Sequence, residues 1–141
     1  MSEHSMHLQI VTPHGRLYDA PSMGVRVESA MGQIELLPDH EPIIAALTIG
    51  AAVVKREEGE LHFALNHGYA EVLNNRIEIV VETAEEASTI DVPRAEADKD
   101  RAVARLKGVD ASANPELASQ IDEDLRLAAV RISVGSQGRP S

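Results

Sequence analysis

The stretch Thr83-Ala84-Glu85-Glu86-Ala87-Ser88-Thr89-Ile90-Asp91-Val92-Pro93-Arg94-Ala95 separates two patterns in this chain. Before it, apolar residues mostly alternate with polar ones, as half-buried strands require. After it, they recur every three or four residues, as helices require. Asp91 is a good helix N-cap, Pro93 suits a first turn, and Glu96 favours the positive end of the helix dipole. The spacing predicts a first helix that runs to Lys107 and stops at Gly108. A breakable loop follows over 110–115. The second helix carries Leu117, Ile121, Leu125, Ala128 and Ile132 as one narrow apolar stripe. Helices of this length are marginal alone in water, so the pair needs another surface to lie against.

Working back from the boundary, 76–82 and 69–73 flank Asn74-Asn75, a pair suited to a type I′ hairpin because Asn tolerates positive φ. Leu61, Phe63 and Leu65 alternate with Glu60, His62 and Ala64, and Met23, Val25 and Val27 alternate with Gly24, Arg26 and Glu28. Further strands are predicted over 8–10, 33–37, 43–47 and 51–54, with a turn at Thr12-Pro13-His14-Gly15. Short strands with frequent turn signals indicate a sandwich or barrel. The fold class is α+β: a β unit over 1–90 and a helical hairpin over 91–141, with a disordered C-terminal end.

At 141 residues the chain fits one domain, or one small domain with an appendage. The aromatics are Tyr18, Phe63 and Tyr69, so the core must be filled mainly by aliphatic side chains. Without cysteine there are no disulfides and no thiolate chemistry. The segment 1–7 lacks the basic and apolar regions of a secretory signal, and 42–54 is too short to span a bilayer. Residues 1–90 hold fourteen acidic and five basic side chains, whereas 91–141 hold nine and eight. So acidic a β unit argues against nucleic acid, whose phosphates it would repel. The near-neutral, arginine-bearing tail suits an acidic surface or a phosphate.

Six histidines raise the question of a metal. His4 and His7 are read as part of a solvated tail, since zinc needs three or four converging ligands. His40 sits in the proline-bracketed turn Leu37-Pro38-Asp39-His40-Glu41-Pro42 and is read as structural or interfacial, because no nucleophile motif accompanies it. On the first helix Arg94, Arg101 and Arg105 lie near one face, with Asp98 placed to pair with Arg94. Such a row is either a solvated, ion-paired face or a guanidinium cluster for polyphosphate. Two rival readings remain at this level: a free-standing β-sandwich binding module with a helical dimerisation tail, and a histidine-based metalloenzyme.

Several motifs, in order along the chain, resemble one family. They are V-T-P-x-G at 11–15, Leu37-Pro38-x-His40-x-Pro42, Gly68-x-x-Glu71-Val72, Thr83-Ala84-Glu85, I-D-x-x-R-A at 90–95 and Arg131-Ile132-Ser133-Val134. The chain resembles the epsilon subunit of bacterial F-type ATP synthase, the counterpart of the mitochondrial delta subunit, from about His7 to Val134. The resemblance implies a ten-stranded β-sandwich followed by an antiparallel two-helix hairpin. It further implies a non-catalytic rotor subunit at the cytoplasmic face of the bacterial plasma membrane, peripheral and not inserted. Its partners would be the gamma subunit, the ring of c subunits and, through the hairpin, the beta subunit. In that role it couples proton flow to ATP synthesis and restrains ATP hydrolysis.

The resemblance requires no cofactor but admits ATP as a regulatory ligand, at Ile90, Asp91, Arg94, Ala95, Arg101 and Arg131. Leu127 stands where the family carries another arginine, and Arg126 lies one residue off phase, about 100° round the helix. Loss of one charge-assisted bond costs roughly 1.5–3 kcal/mol, so weak ATP binding is expected. The ring- and gamma-facing residues would be Met31, Gly32, Gln33 and His40. Met31 and Gln33 replace residues that are often acidic in the family, and Asp39 replaces a common glycine.

Overall fold

A computed structural model describes residues 5–39 and 41–137. Ten strands come first: β1 (Met6–Thr12), β2 (Gly15–Ser22), β3 (Gly24–Ser29), β4 (Gly32–Leu36), β5 (Ile43–Leu47), β6 (Gly50–Lys55), β7 (Leu61–Leu65), β8 (Gly68–Leu73), β9 (Arg76–Val81) and β10 (Ala84–Glu86). A 3₁₀ turn (Ala87–Thr89) leads into α1 (Val92–Lys107) and α2 (Pro115–Gln137). His40 and the expected disordered end beyond Gln137 lie outside the described residues, as does His4.

Strand β3 organises the sheet. One of its edges carries β4, and the other is shared: Gly24, Val25 and Arg26 pair with β6, while Ser29 pairs with Leu47 of β5. The sheet thereby folds over into a layer β4-β3-β6-β7-β10 and a layer β5-β8-β9-β1-β2. All pairings are antiparallel except β1 beside β9. Side chains of period two meet between the layers: Val25, Val27, Leu36, Val54, Phe63 and Leu65 from one, Leu8, Ile10, Val72, Ile77 and Ile79 from the other. The Tyr18 and Phe63 rings meet edge to face across this core, their centroids 6.1 Å apart. Asn74 and Asn75 both take positive φ, at 53° and 62°, as a type I′ turn demands. Asp39 also has positive φ, at 65°.

Two strands escape the period-two reading. β2 reads Gly-Arg-Leu-Tyr-Asp-Ala-Pro-Ser, without alternation and with a proline. Proline is tolerated there because β2 is an edge strand bonded only to β1. β10 has three residues, too few to show a period, and it lies within the stretch over which the pattern changes. His7, expected in a loose tail, lies within β1, where its imidazole meets Asp19 of β2. That hydrogen bond, followed by the nearby Arg16, holds the Asp19 carboxyl below its ordinary range.

The hairpin lies against the sandwich, and α2 has two faces to bury. Ile121, Ala128 and Gly135, seven residues apart, are buried, as are Ala95 and Ala102 of α1, likewise seven apart. Val130 and Val134 instead join Ala64, Ala87, Ile90 and Val92 in a second small core on the outer face of β7. The expected single stripe is thus split. Leu117 at its start is exposed, and the buried positions drift towards Val134 because the helix must serve both α1 and the sandwich. Gly135 marks the tightest approach: a Cβ there would lie 2.6 Å from Val92 Cγ2 and 3.1 Å from Ile90 Cγ2. We expect Gly135→Val to cost the hairpin about 1–3 kcal/mol by overpacking. Hydrogen exchange should show α1 amides opening at least about tenfold faster while the inter-layer strands keep their protection; uniform exchange across both would contradict a separate small core.

Candidate functional site

The I-D-x-x-R-A segment is first a structural joint. Asp91 Oδ1 accepts a hydrogen bond from the Arg94 amide at 3.1 Å, which caps α1, and Ile90 and Ala95 are fully buried. Pro93 at the start of α1 has no amide hydrogen to leave unsatisfied. Arg94 points to solvent. Asp98, expected to pair with it, instead pairs with Arg101 and with Arg131 of α2. The helix–helix contact brings Asp98 and Arg131 together, and 33 residues of separation hide that meeting from any local reading.

Arg131 is the best-engaged cation of the hairpin. Its Nε and one terminal nitrogen donate to the two carboxylate oxygens of Glu85 on β10, at 2.6 and 3.2 Å, and the other terminal nitrogen lies 3.4 Å from Asp98 Oδ2. Its side chain is only 18% exposed. Arg101, Arg105, Asp124, Leu127 and Arg131 share a cleft of about 360 Å³ between the helices. Arg105 lies 3.7 Å from Asp124 across it. Of the six residues proposed for nucleotide, Arg101 and Arg131 therefore converge on one cleft. Ile90, Asp91 and Ala95 serve the joint, and Arg94 does not line the cleft.

Met31, Gly32 and Gln33 form the exposed turn from β3 into β4, with Met31 94% exposed. Ser29 Oγ accepts from the Met31 amide and donates to the Gly32 carbonyl, fixing the turn. Gln33 reaches back to Glu28 at 3.2 Å. The Leu37–Pro38–Asp39 turn lies at the other end of β4, five residues away or roughly 16 Å along an extended strand. Both segments thus flank one edge strand that bonds only to β3. Glu35 of that strand pairs with Lys55 of β6, across β3, which holds its carboxyl below the ordinary range.

A third surface was not anticipated. On the outer face of the β5-β8-β9-β1 layer, Ala46 opposes Tyr69, Tyr69 opposes Val80, and Val80 opposes Val11, giving an apolar row straight across four strands. Ile44, 70% exposed, and Leu73 lie on the same face in the next two rows, opposite Glu71 and Arg76. Val11, Pro13, Gly68, Tyr69 and Val80 line a shallow depression of about 450 Å³ beside it. Gly68 permits the close approach of β9, since a Cβ there would lie 1.9 Å from the Val80 carbonyl oxygen. The opposite outer face is covered by α2, whereas no described element covers this one. Val80, an apolar residue on the side of β9 away from the core, was the available sequence signal.

Residues 5–87 match the family model described as the ATP synthase delta/epsilon chain β-sandwich domain, which makes this a β-sandwich of the ATP synthase delta/epsilon type. The similarity continues through the hairpin. The chain is 42% identical over 138 residues to the ATP synthase epsilon chain of Pediococcus pentosaceus, covering 95% of this chain and 98% of that one. It is 35% identical over 129 residues to that of Levilactobacillus brevis, covering 92% and 93%. The chain belongs to the ATP synthase delta/epsilon chain family. Its fold also matches a chain in the mitochondrial ATP synthase of Euglena gracilis with a TM-score of 0.74, at 18% identity over 86% of this chain and 76% of that chain. A chain in the Tetrahymena thermophila central stalk and c-ring assembly gives 0.62, at 16% identity over 90% and 96%.

Replacing Asp91 with Ala should remove the α1 cap at a cost of about 1 kcal/mol. Faster exchange confined to the first-turn amides of α1 is the expected readout, and no change there would show that the cap carries no stability.

Proposed function

We propose that the chain is a non-catalytic central-stalk subunit of an F-type ATP synthase, peripheral to the membrane, whose hairpin restrains ATP hydrolysis. The observation that carries this reading is family similarity extending from the sandwich through both helices, over 138 residues in one relative. Among the described residues no helix is long and apolar enough to cross a membrane. In this reading attachment runs through other subunits. The apolar row from Ala46 to Val11 is the surface for the gamma subunit. An uncovered apolar strip on an otherwise acidic unit is an interaction site by chemistry. The free edge of β4, with Met31 to Gln33 at one end and the Leu37–Pro38–Asp39 turn at the other, faces the ring of c subunits. With Met31 and Gln33 uncharged, that contact relies on apolar and hydrogen-bonding groups.

In this reading the sandwich stays fixed to the shaft and the hairpin is the moving part. Released from β7, it would present Arg101, Arg105 and Arg126 to an acidic segment of the beta subunit. The ion pairs of the docked pose would be exchanged for intersubunit ones.

Two measurements test the assignment. The full chain should be retained by immobilised gamma subunit, and Tyr69→Glu should weaken retention by about tenfold or more, because binding would then bury an unpaired carboxylate; equal retention would remove the row from the interface. Deleting 91–141 should leave the subunit assembled in the complex and raise ATP hydrolysis several-fold. Unchanged hydrolysis would remove the restraining role while leaving the stalk assignment standing.

A further inference from the structure

We propose that Arg131, clamped between Glu85 and Asp98, is a nucleotide-independent latch that holds the hairpin on the sandwich. The inference deepens the reading of a movable hairpin and rests on it.

Each arginine in the interhelical cleft already has a carboxylate. Arg131 is forked onto Glu85, Arg101 meets Asp98, and Arg105 faces Asp124. Leu127 supplies a neutral wall. A polyphosphate entering the cleft would have to displace these carboxylates, so the closed pose does not wait for one. The chain has built into itself the anions that bind its guanidinium groups.

Arg131 is also bonded to both partners of the closed pose. Glu85 belongs to β10 of the sandwich and Asp98 to α1, so the guanidinium ties three elements together. The apolar contact beneath it is small, with Val134 the only fully buried α2 side chain in that cluster. Where so little apolar area is buried, a bidentate, largely buried ion pair weighs heavily in the balance. A second polar contact, His67 Nε2 to Glu123 Oε1 at 2.5 Å, lies about two turns nearer the start of α2, and its imidazole is 45% exposed where the Arg131 side chain is 18%. It guides the helix; Arg131 locks it.

The chain has no cysteine, so Glu58→Cys and Ser119→Cys place one spin label on an exposed sandwich loop and one on α2 of the full chain. Pulsed dipolar distances are measured without nucleotide, then with magnesium ATP and with inorganic tripolyphosphate. The unmodified latch should give one short-distance population that neither addition increases. Glu85→Gln and Arg131→Gln should each lower the closed-to-open ratio about tenfold or more. The double variant should open no further than Arg131→Gln alone, since that substitution already removes the bond to Glu85. Arg131→Lys, which keeps charge but loses the fork, should fall between. An open hairpin without nucleotide, closure that rises several-fold on adding either compound, or additive effects of the two substitutions would each overturn the latch. Should Arg131→Gln lose its fold, Glu85→Gln in β10 carries the test alone, and an unchanged ratio there refutes it. Retention by the gamma subunit is scored separately on the same variants, so a failed latch with intact retention is distinct from a failed stalk assignment.

Discussion

Strand β7 is buried on both faces, and the architecture follows from how it manages that. Phe63 and Leu65 point into the space between the layers, where most of the largest fully buried side chains collect. Ala64, between them, points outward and is covered by α2. A methyl group there keeps the surface low enough for a helix to approach, and Gly135 reciprocates on the helix by admitting Ile90 and Val92. One strand therefore links a large core that holds the sandwich together and a small one that holds the hairpin down. The first is much the larger: sixteen buried residues make it up, against four in the second.

A two-layer sandwich has two outer faces, and in this chain they have different fates. The face bearing Val53 and Ala64 is closed from within the same molecule by α2. The face bearing Tyr69 and Val80 is left open, with its apolar row running perpendicular to the strands. Acidic side chains dominate the neighbouring row, where Glu71 opposes Glu78. An apolar strip edged by charge resists self-association while leaving a partner something to bury. The molecule thus covers one outer face with its own hairpin, while no described element covers the other.

Much of the candidate site could be read along the chain because its determinants are local. Asp91 caps α1 three residues from the amide it accepts, Asn74-Asn75 builds its own turn, and the change of period near Thr83 locates the handover from strand to helix to within a few residues. Charge pairing was less accessible. Asp98 stands four residues from Arg94, a permissible helical pair, yet it turns to Arg101 and Arg131 because α2 packs on that side. Likewise Gly135 in a helical pattern carries no sign that two side chains from another element occupy its missing Cβ position.

The alternation of Val25, Val27, Leu61, Phe63 and Leu65, and the cap and stop signals at Asp91 and Gly108, were enough by themselves to determine a β unit followed by a helical hairpin. Backbone geometry and side-chain period act over a few residues and need no partner to be read. Tertiary structure alone decided which outer face α2 covers, that Arg131 forks onto Glu85, 46 residues away, and that Ala46, Tyr69, Val80 and Val11 fall in one row. Those outcomes depend on strand order and on the fold-over at β3, where distant segments compete for the same edge and the same apolar surface.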